Sequence, residues 1–169
     1  MTGYLTGFIA GKGIGFVIKL LHIYSQRTRD GDILVIYRKA KMSDVEALHG
    51  LINDFAQKGL MLPRSRNTIY ETLREFIVVE DLGKVIGAGA LHIIWDDLAE
   101  VRALTVSSNY QKRGIGQRLV EELRREAEEL EVHQLFALTY QVGFFKKCGF
   151  NEVSKDTMPP KVWKECINC

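Results

Sequence analysis

From residue 33 onward the apolar positions fall into short alternating runs and helical stripes, separated by glycine, proline or a helix cap. Ile33 to Arg38 is short and β-branched, the pattern of a first strand. Ser43 then predicts a helix start, with Glu46 three residues on as a capping box. Val45, Leu48, Ile52 and Phe55 form its apolar stripe, and Gly59 ends it. Leu62 to Asn67 reads as a loop directed by Pro63, followed by a short helix from Thr68 to Phe76. Ile77 to Glu80 and Val85 to Ile94 read as strands joined by a hairpin at Asp81-Leu82-Gly83-Lys84, with Gly87 and Gly89 thinning one face. Asp96-Asp97 turns the chain into a strand from Ala99 to Val106.

The longest periodic segment runs from Gln117 to Leu130. Ile115, Leu119, Leu123, Ala127 and Leu130 share one side, while Glu121, Glu122, Arg124, Arg125, Glu128 and Glu129 share the other. That second side predicts a solvated face with i,i+4 pairs such as Glu121–Arg125. Leu135–Leu138, Val142–Lys147 and Phe150–Val153 complete the pattern as strand, helix and strand. Antiparallel strands come first and a strand–helix–strand unit second, which makes the class α+β in three layers, α/β/α, around a mixed sheet.

Composition narrows the setting. A length of 169 residues fits one domain with a proper core, and 46% hydrophobic with 26% charged residues is ordinary for a globular chain. A net charge of +2 lacks the basic excess of a nucleic-acid footprint. Three cysteines give no disulfide framework, so a reducing cytoplasm is the natural reading. Tyr4 to Ile23 is apolar but is interrupted by Lys12, Lys19 and several glycines, so it fits neither a membrane span nor a secretory signal. Residues 1–32 therefore read as an N-terminal extension, helical or poorly ordered, and 33–169 as a single domain with a C-terminal tail. Apolar residues in the first 25 positions could cover a neighbouring subunit, leaving a homodimer open.

The chemistry concentrates where the Ala99–Val106 strand meets Gln111-Lys112-Arg113-Gly114-Ile115-Gly116 and the following helix. Exposed N–H groups at a helix start suit a phosphorylated cofactor, Gly114 and Gly116 allow close backbone approach, and Lys112 and Arg113 add positive charge. No Gly-Lys-Ser/Thr string makes it a Walker loop, and Leu119 stands where a dinucleotide fingerprint wants its third glycine. Gly11-Lys12-Gly13-Ile14-Gly15 has no capping pattern after it and reads as a flexible stretch.

Gln111-x-x-Gly114-x-Gly116 after Leu104-Thr105-Val106 resembles the acetyl-CoA pyrophosphate loop of the GNAT acetyltransferase superfamily. Phe145-x-x-x-Gly149-Phe150 resembles the same superfamily's carboxy-terminal signature. Together these span about residues 34 to 155. Leu62-Pro63-Arg64-Ser65-Arg66, Ala99-Glu100-Val101-Arg102 and Pro159 to Lys164 are similar to short, stand-alone N-acetylglutamate synthases. The resemblance implies a central sheet splayed around acetyl-CoA. Main-chain groups of Leu104 and Val106 would align the acetyl and pantetheine arms, and N–H groups from Gln111 to Gly116 would hold the pyrophosphate. It also implies acetyl transfer to the α-amino group of L-glutamate, the first step of arginine biosynthesis, by direct attack of the amine on the thioester.

Strand alternation would put Glu100 on one face with Arg102 and Leu104, where its carboxylate could remove the ammonium proton, through a water. Many superfamily members carry a tyrosine where this chain has Phe145, so Tyr140 is the substitute general acid, with direct protonation by solvent as the alternative. A dicarboxylate acceptor calls for a fork-shaped cation. Arg64 lies in the loop matching the family's substrate segment, with Arg66, Arg102 and Lys161 as further candidates that serve equally as surface charges. Thr139 and Gln141 sit where the sheet should open and could hydrogen-bond substrate. His92 reads as a satisfied core residue, and His22, His49 and His133 show no partner spacing. Cys166-x-x-Cys169 is half a zinc site at best, so no metal is expected, and Cys148 reads as a packing residue. Two rival readings are a GNAT enzyme for another amino acid, a polyamine or a protein N-terminus, and a non-catalytic acyl-CoA sensor.

Overall fold

The computed structural model describes residues 3–8, 24–27 and 34–154, the first two segments through their backbone alone. Strand β3 (Leu34–Lys39) buries Val35 and Tyr37 and leaves Leu34 exposed, the alternation of a half-covered strand. Helix α1 (Val45–Gln57) buries Val45, Leu48 and Ile52 as expected, and Gly59 follows it with φ +69°. Its start differs from the sequence reading. A single 3-10 turn, Met42–Asp44, precedes it, and the Lys41 N–H donates to Asp44 Oδ2 at 2.7 Å. Asp44 stands at the N-cap position of α1 without a side-chain bond into that helix, and Arg38, six positions earlier on β3, grips its carboxylate through two nitrogens at 2.6 and 2.9 Å. Arg38 also donates to Glu80, so one guanidinium ties three elements together.

Helix α2 (Arg66–Glu71) begins two residues before the expected start, because Ser65 accepts from the Thr68 N–H at 3.1 Å. A 3-10 turn, Leu73–Glu75, leads into β4 (Phe76–Asp81), which pairs with β5 (Lys84–Trp95). Leu82 and Gly83 between them both have positive φ, 46° and 82°, the geometry of a type I′ hairpin turn. Then come β6 (Leu98–Val106), α3 (Ile115–Glu129), β7 (Gln134–Thr139), α4 (Val142–Lys147) and β8 (Asn151–Val153).

Among the described residues the sheet has eight strands in the order β2-β3-β4-β5-β6-β7-β1-β8, with β6–β7 its parallel pair. Here β1 is Gly3–Phe8 and β2 is Tyr24–Arg27. Over these two segments the expected helical or poorly ordered extension is corrected to strand. Each pairs antiparallel along a strand that has a free side, β2 along β3 and β1 between β7 and β8. Residues 9–23, with the Gly11–Gly15 string, lie outside the described residues. Helices α1 and α2 cover one face of the sheet over Phe76, Val78, Ala88 and Ala90. Helices α3 and α4 cover the other over Val79, Leu91, Val101 and Ala137. The mixed three-layer α/β/α architecture is the expected one. Among the described residues no helix is long and apolar enough to cross a membrane.

The charged side of α3 is less solvated than its sequence suggests. Glu122 is only 5% exposed and lies between Arg118 and Arg125, at 2.7 and 2.9 Å. Glu126 pairs with Lys39 of β3, and Glu121 pairs with Arg118 rather than with Arg125. Leu130, expected on the apolar side, is exposed. The helix thus leans over β3 as well as over the strands beneath it.

Hydrogen bonds from Arg38 hold the Asp44 carboxyl below its ordinary range, against the opposing effect of burial. A carboxyl depressed in the folded chain contributes stability above its unfolded value of about 3.9, and loses it as pH falls through the folded value. Asp44→Asn should therefore lower unfolding free energy by about 3 kcal/mol at neutral pH, read by urea denaturation. Below pH ~4 the difference between variant and parent should shrink, since the parent's carboxylate is then being protonated too.

Candidate active site

Strands β6 and β7 pair only from Leu98 to Glu100 against Gln134 to Phe136. Both continue further, β6 to Val106 and β7 to Thr139, so the ladder stops at Glu100 and the strands diverge. The gap lies at the carboxyl ends of neighbouring parallel strands, the usual place for a ligand in such sheets. A β-bulge deepens it. Ala88 pairs with Thr105 but Ala90 with Arg102, so Ala103 and Leu104 together oppose Gly89. Ala103 takes φ +53°, and the extra residue leaves backbone groups out of the ladder.

The bulge also reverses which side chains face which helix. Ala103 packs with the α1 and α2 cluster, whereas Leu104 packs with the α3 cluster. The expectation that Glu100, Arg102 and Leu104 share a face is therefore corrected. The first two precede the bulge and Leu104 follows it. Val106 lies on the α3 side with Leu104.

Beyond Val106 the chain makes a 3-10 turn, Ser108–Tyr110, and enters the glycine loop. Lys112 at φ +63° and Gly114 at φ +83° bracket Arg113 in alternating left-handed conformations that turn successive N–H groups to one side. Helix α3 has no side-chain cap, and its first i→i−4 bond is Arg118 N–H to the Gly114 carbonyl at 3.0 Å. The N–H groups of Gly114 to Gln117 are thus the ones at the helix start without an intrahelical partner. Gln111 does not reach outward: its Nε2 donates to the Val106 carbonyl at 2.9 Å and fastens the loop to the strand. Tyr110 donates to Asp81 at 2.8 Å and lies beneath Arg113. A Cβ on Gly116 would stand 3.3 Å from the Phe144 ring, so this glycine lets α4 close on the loop. Ile115 is buried in the core and anchors the helix start.

The remaining candidates divide into those near the gap and those engaged elsewhere. Glu100 is half-buried where the β6–β7 ladder ends. Thr139 ends β7, its Oγ1 accepting from the Gln141 N–H at 2.9 Å. The Gln141 carbonyl accepts from Phe144 and Phe145 and so opens α4, while Tyr140 between them is 60% exposed. Phe145 is buried edge-on against Phe144 and Phe150, a core residue. Arg64 is held by its backbone: its N–H donates to Asn53 Oδ1 at 3.2 Å and its carbonyl accepts from Asn53 Nδ2 at 2.9 Å. Arg66 instead forms a bidentate pair with Glu46 at the surface, at 2.7 and 2.8 Å. Arg102, 8% exposed, donates to Glu75 at 3.2 Å. Lys161, Cys166 and Cys169 lie outside the described residues.

His92 is half-buried with Nδ1 2.9 Å from Glu75, so it has a charged partner rather than an apolar seat. His133 likewise meets Asp97. Glu75 is the residue that sequence reasoning missed, since its partners lie 17 and 27 positions away. Burial pushes the Cys148 thiol up to about 11, in keeping with a packing role.

Comparison with known proteins matches this geometry. The model of the acetyltransferase (GNAT) family matches residues 45–150. An uncharacterized N-acetyltransferase of Chlorobaculum tepidum is 38% identical over 78% of this chain and 85% of its own. An amino-acid acetyltransferase of Mycobacterium tuberculosis is 37% identical over 81% of this chain and 80% of its own. A solved Mycobacterium tuberculosis structure in complex with CoA and NLQ superposes with TM-score 0.70 at 35% identity, covering 79% of this chain and 81% of that one. N-acetylglutamate synthase from Neisseria gonorrhoeae, complexed with coenzyme A and N-acetyl-glutamate, gives TM-score 0.74 at 30% identity, with 79% of this chain on 32% of that one.

At Gly114 a β-branched side chain would have to adopt φ +83° beside the outward N–H groups. Gly114→Val should weaken acetyl-CoA binding at least tenfold, measured by calorimetry, while the far-ultraviolet spectrum stays that of the parent.

Proposed function

Because the chain belongs to the acetyltransferase (GNAT) family, with acetyl-CoA as its acyl donor, we propose that its acceptor is the α-amino group of L-glutamate. The product would be N-acetylglutamate, made in the cytoplasm as the first step of arginine biosynthesis. The observation that carries this reading is the 37% identity to an amino-acid acetyltransferase over four-fifths of each chain. The likeness to a synthase complexed with N-acetyl-glutamate supports it. So does an arginine, Arg64, in a loop braced through Asn53 beside α1.

In this reading the donor lies in the β6–β7 gap. Its pyrophosphate meets the N–H groups from Arg113 to Gly116, with Lys112 and Arg113 supplying charge, and Gln111 keeps the loop on Val106. Its amide-bearing arm runs along the Leu104 to Val106 backbone. Arg64 holds an acceptor carboxylate in its planar fork, with Thr139 and Gln141 close to the amine. Arg66 and Arg102 serve structure through Glu46 and Glu75. Glu100 removes one ammonium proton and the nitrogen lone pair attacks the thioester carbonyl; the tetrahedral intermediate then loses its second N–H proton to solvent and expels the thiolate of CoA, leaving the neutral amide. Tyr140 or solvent protonates that thiolate. Holding both reactants in line is the largest contribution, of the order of 7–11 kcal/mol in well-oriented systems.

Thiol release from acetyl-CoA against a panel of amino acids and polyamines tests the acceptor, and glutamate should be the preferred one. Turnover confined to another amine would overturn the glutamate assignment and leave the acyl chemistry intact. Arg64→Ala should raise KM for glutamate about 10–100-fold, the effect of losing a charged hydrogen-bond pair, with KM for acetyl-CoA unchanged. Glu100→Gln should lower kcat by ~10²–10⁴.

A further inference from the structure

Three ionisable side chains from three separate elements gather on the α1 and α2 face beside Glu100. Glu75 closes the 3-10 turn before β4, His92 lies on β5 and Arg102 on β6. One oxygen of Glu75 is 2.9 Å from His92 Nδ1, and the other accepts from Arg102 at 3.2 Å. The β5–β6 register sets His92 directly opposite Glu100. Directly opposed residues share a face, with Cβ atoms ~4.5–5.5 Å apart. With Nδ1 turned to Glu75, the other ring nitrogen, Nε2, is the one that can serve the Glu100 side.

The charges of the group do not balance. Glu75 and Glu100 carry two negative charges and Arg102 one positive, so with a neutral imidazole the group takes up one proton to become neutral. Burial favours a protonated Glu75, but His92 and Arg102 outweigh it and hold that carboxyl below its ordinary range. His92 is half-buried, so its ring is open in part to water on the face it shares with Glu100.

We propose that Glu75 and His92 are positioning residues for deprotonation of the acceptor: Glu75 fixes the imidazole with its hydrogen on Nδ1, and Nε2 receives the proton that Glu100 takes from the ammonium. The proposal rests on Glu100 as the base. In the first transfer an ammonium N–H bond breaks, its electron pair stays on nitrogen for the attack, and the proton goes to Glu100. In the second, the Glu100 O–H bond breaks and an Nε2–H bond forms. Glu100 is restored as carboxylate, and the imidazolium, held by Glu75, gives its proton to solvent.

The test is a double-mutant cycle with Glu75→Gln and His92→Gln, reading kcat, both KM values and melting temperature. Each single variant should lower kcat about tenfold or more while KM for acetyl-CoA stays put. The double variant should fall no further than His92→Gln, because Glu75 acts through His92. Nitrogen-15 NMR should show His92 protonated at Nδ1 in the parent and a tautomer mixture in Glu75→Gln. A parental kcat in His92→Gln, or losses that multiply in the double variant, overturns the inference while leaving Glu100→Gln slow. Should His92→Gln not fold, the near-isosteric Glu75→Gln decides: a parental kcat or an unchanged tautomer overturns it. A parental rate in Glu100→Gln is a different pattern, which removes the base assignment itself.

Discussion

The structure turns on the separation of β6 from β7 after Glu100. Inside a sheet, a backbone N–H or C=O without a ladder partner costs ~1–3 kcal/mol when buried, so central strands rarely separate without a replacement for the lost bonds. Here the separation is built in from both sides. The bulge at Ala103–Leu104 bends β6, and α3 carries the chain across before β7 begins. What fills the gap must present donors and acceptors at strand spacing, as an added strand would. In the proposed reading, an acyl donor with an amide-bearing arm and an anionic end supplies those groups, with the uncapped start of α3 for its anionic end.

Close packing keeps the gap in register with the helix. A Cβ on Gly89 would lie 3.0 Å from a Leu104 methyl and 3.1 Å from a Leu123 methyl, so only glycine lets α3 settle against the bulge. Gly116 does the same for α4 at the other end of the loop. The buried Glu122 is neutralised within α3 by two arginines of its own helix, and Glu126 ties that helix to Lys39 of β3.

Local patterns made most of the fold legible. The α3 stripe, the Leu82-Gly83 turn and the glycine loop each depend on neighbours within a few residues, and each formed as its pattern indicates. Three features escaped because their causes are distant in sequence. Asp44 rather than Ser43 stands at the start of α1, its carboxylate held by Arg38 from β3. Leu104 changes face because the register slips against Gly89, and a bulge leaves period-two alternation intact on either side while shifting its phase. Glu75 has no motif at all, since its meaning comes from His92 and Arg102 on two other strands. The strands in the first 27 residues were hidden for a related reason: their pairing partners, β7, β8 and β3, lie elsewhere in the chain.

Acid and base demands in this reaction are unequal, and the residues are distributed accordingly. An ammonium has no lone pair and cannot attack a thioester until a proton is removed, so the base side is indispensable. A departing thiolate is different: thiols ionise near pH ~8.5, so sulfur leaves with its charge at modest cost and can be protonated afterwards. In the proposed mechanism the charged groups cluster on the side that must take a proton, beside Glu100, with Glu75, His92 and Arg102 interlocked. On the other side the superfamily's tyrosine position holds Phe145, sealed in an aromatic cluster, and the candidate phenol, Tyr140, is largely in water. A site that concentrates its ionisable groups on deprotonation and leaves thiolate release to an exposed phenol or to solvent suits a thioester donor far better than an oxygen ester. The more basic leaving group of an ester would need an acid buried where Phe145 stands.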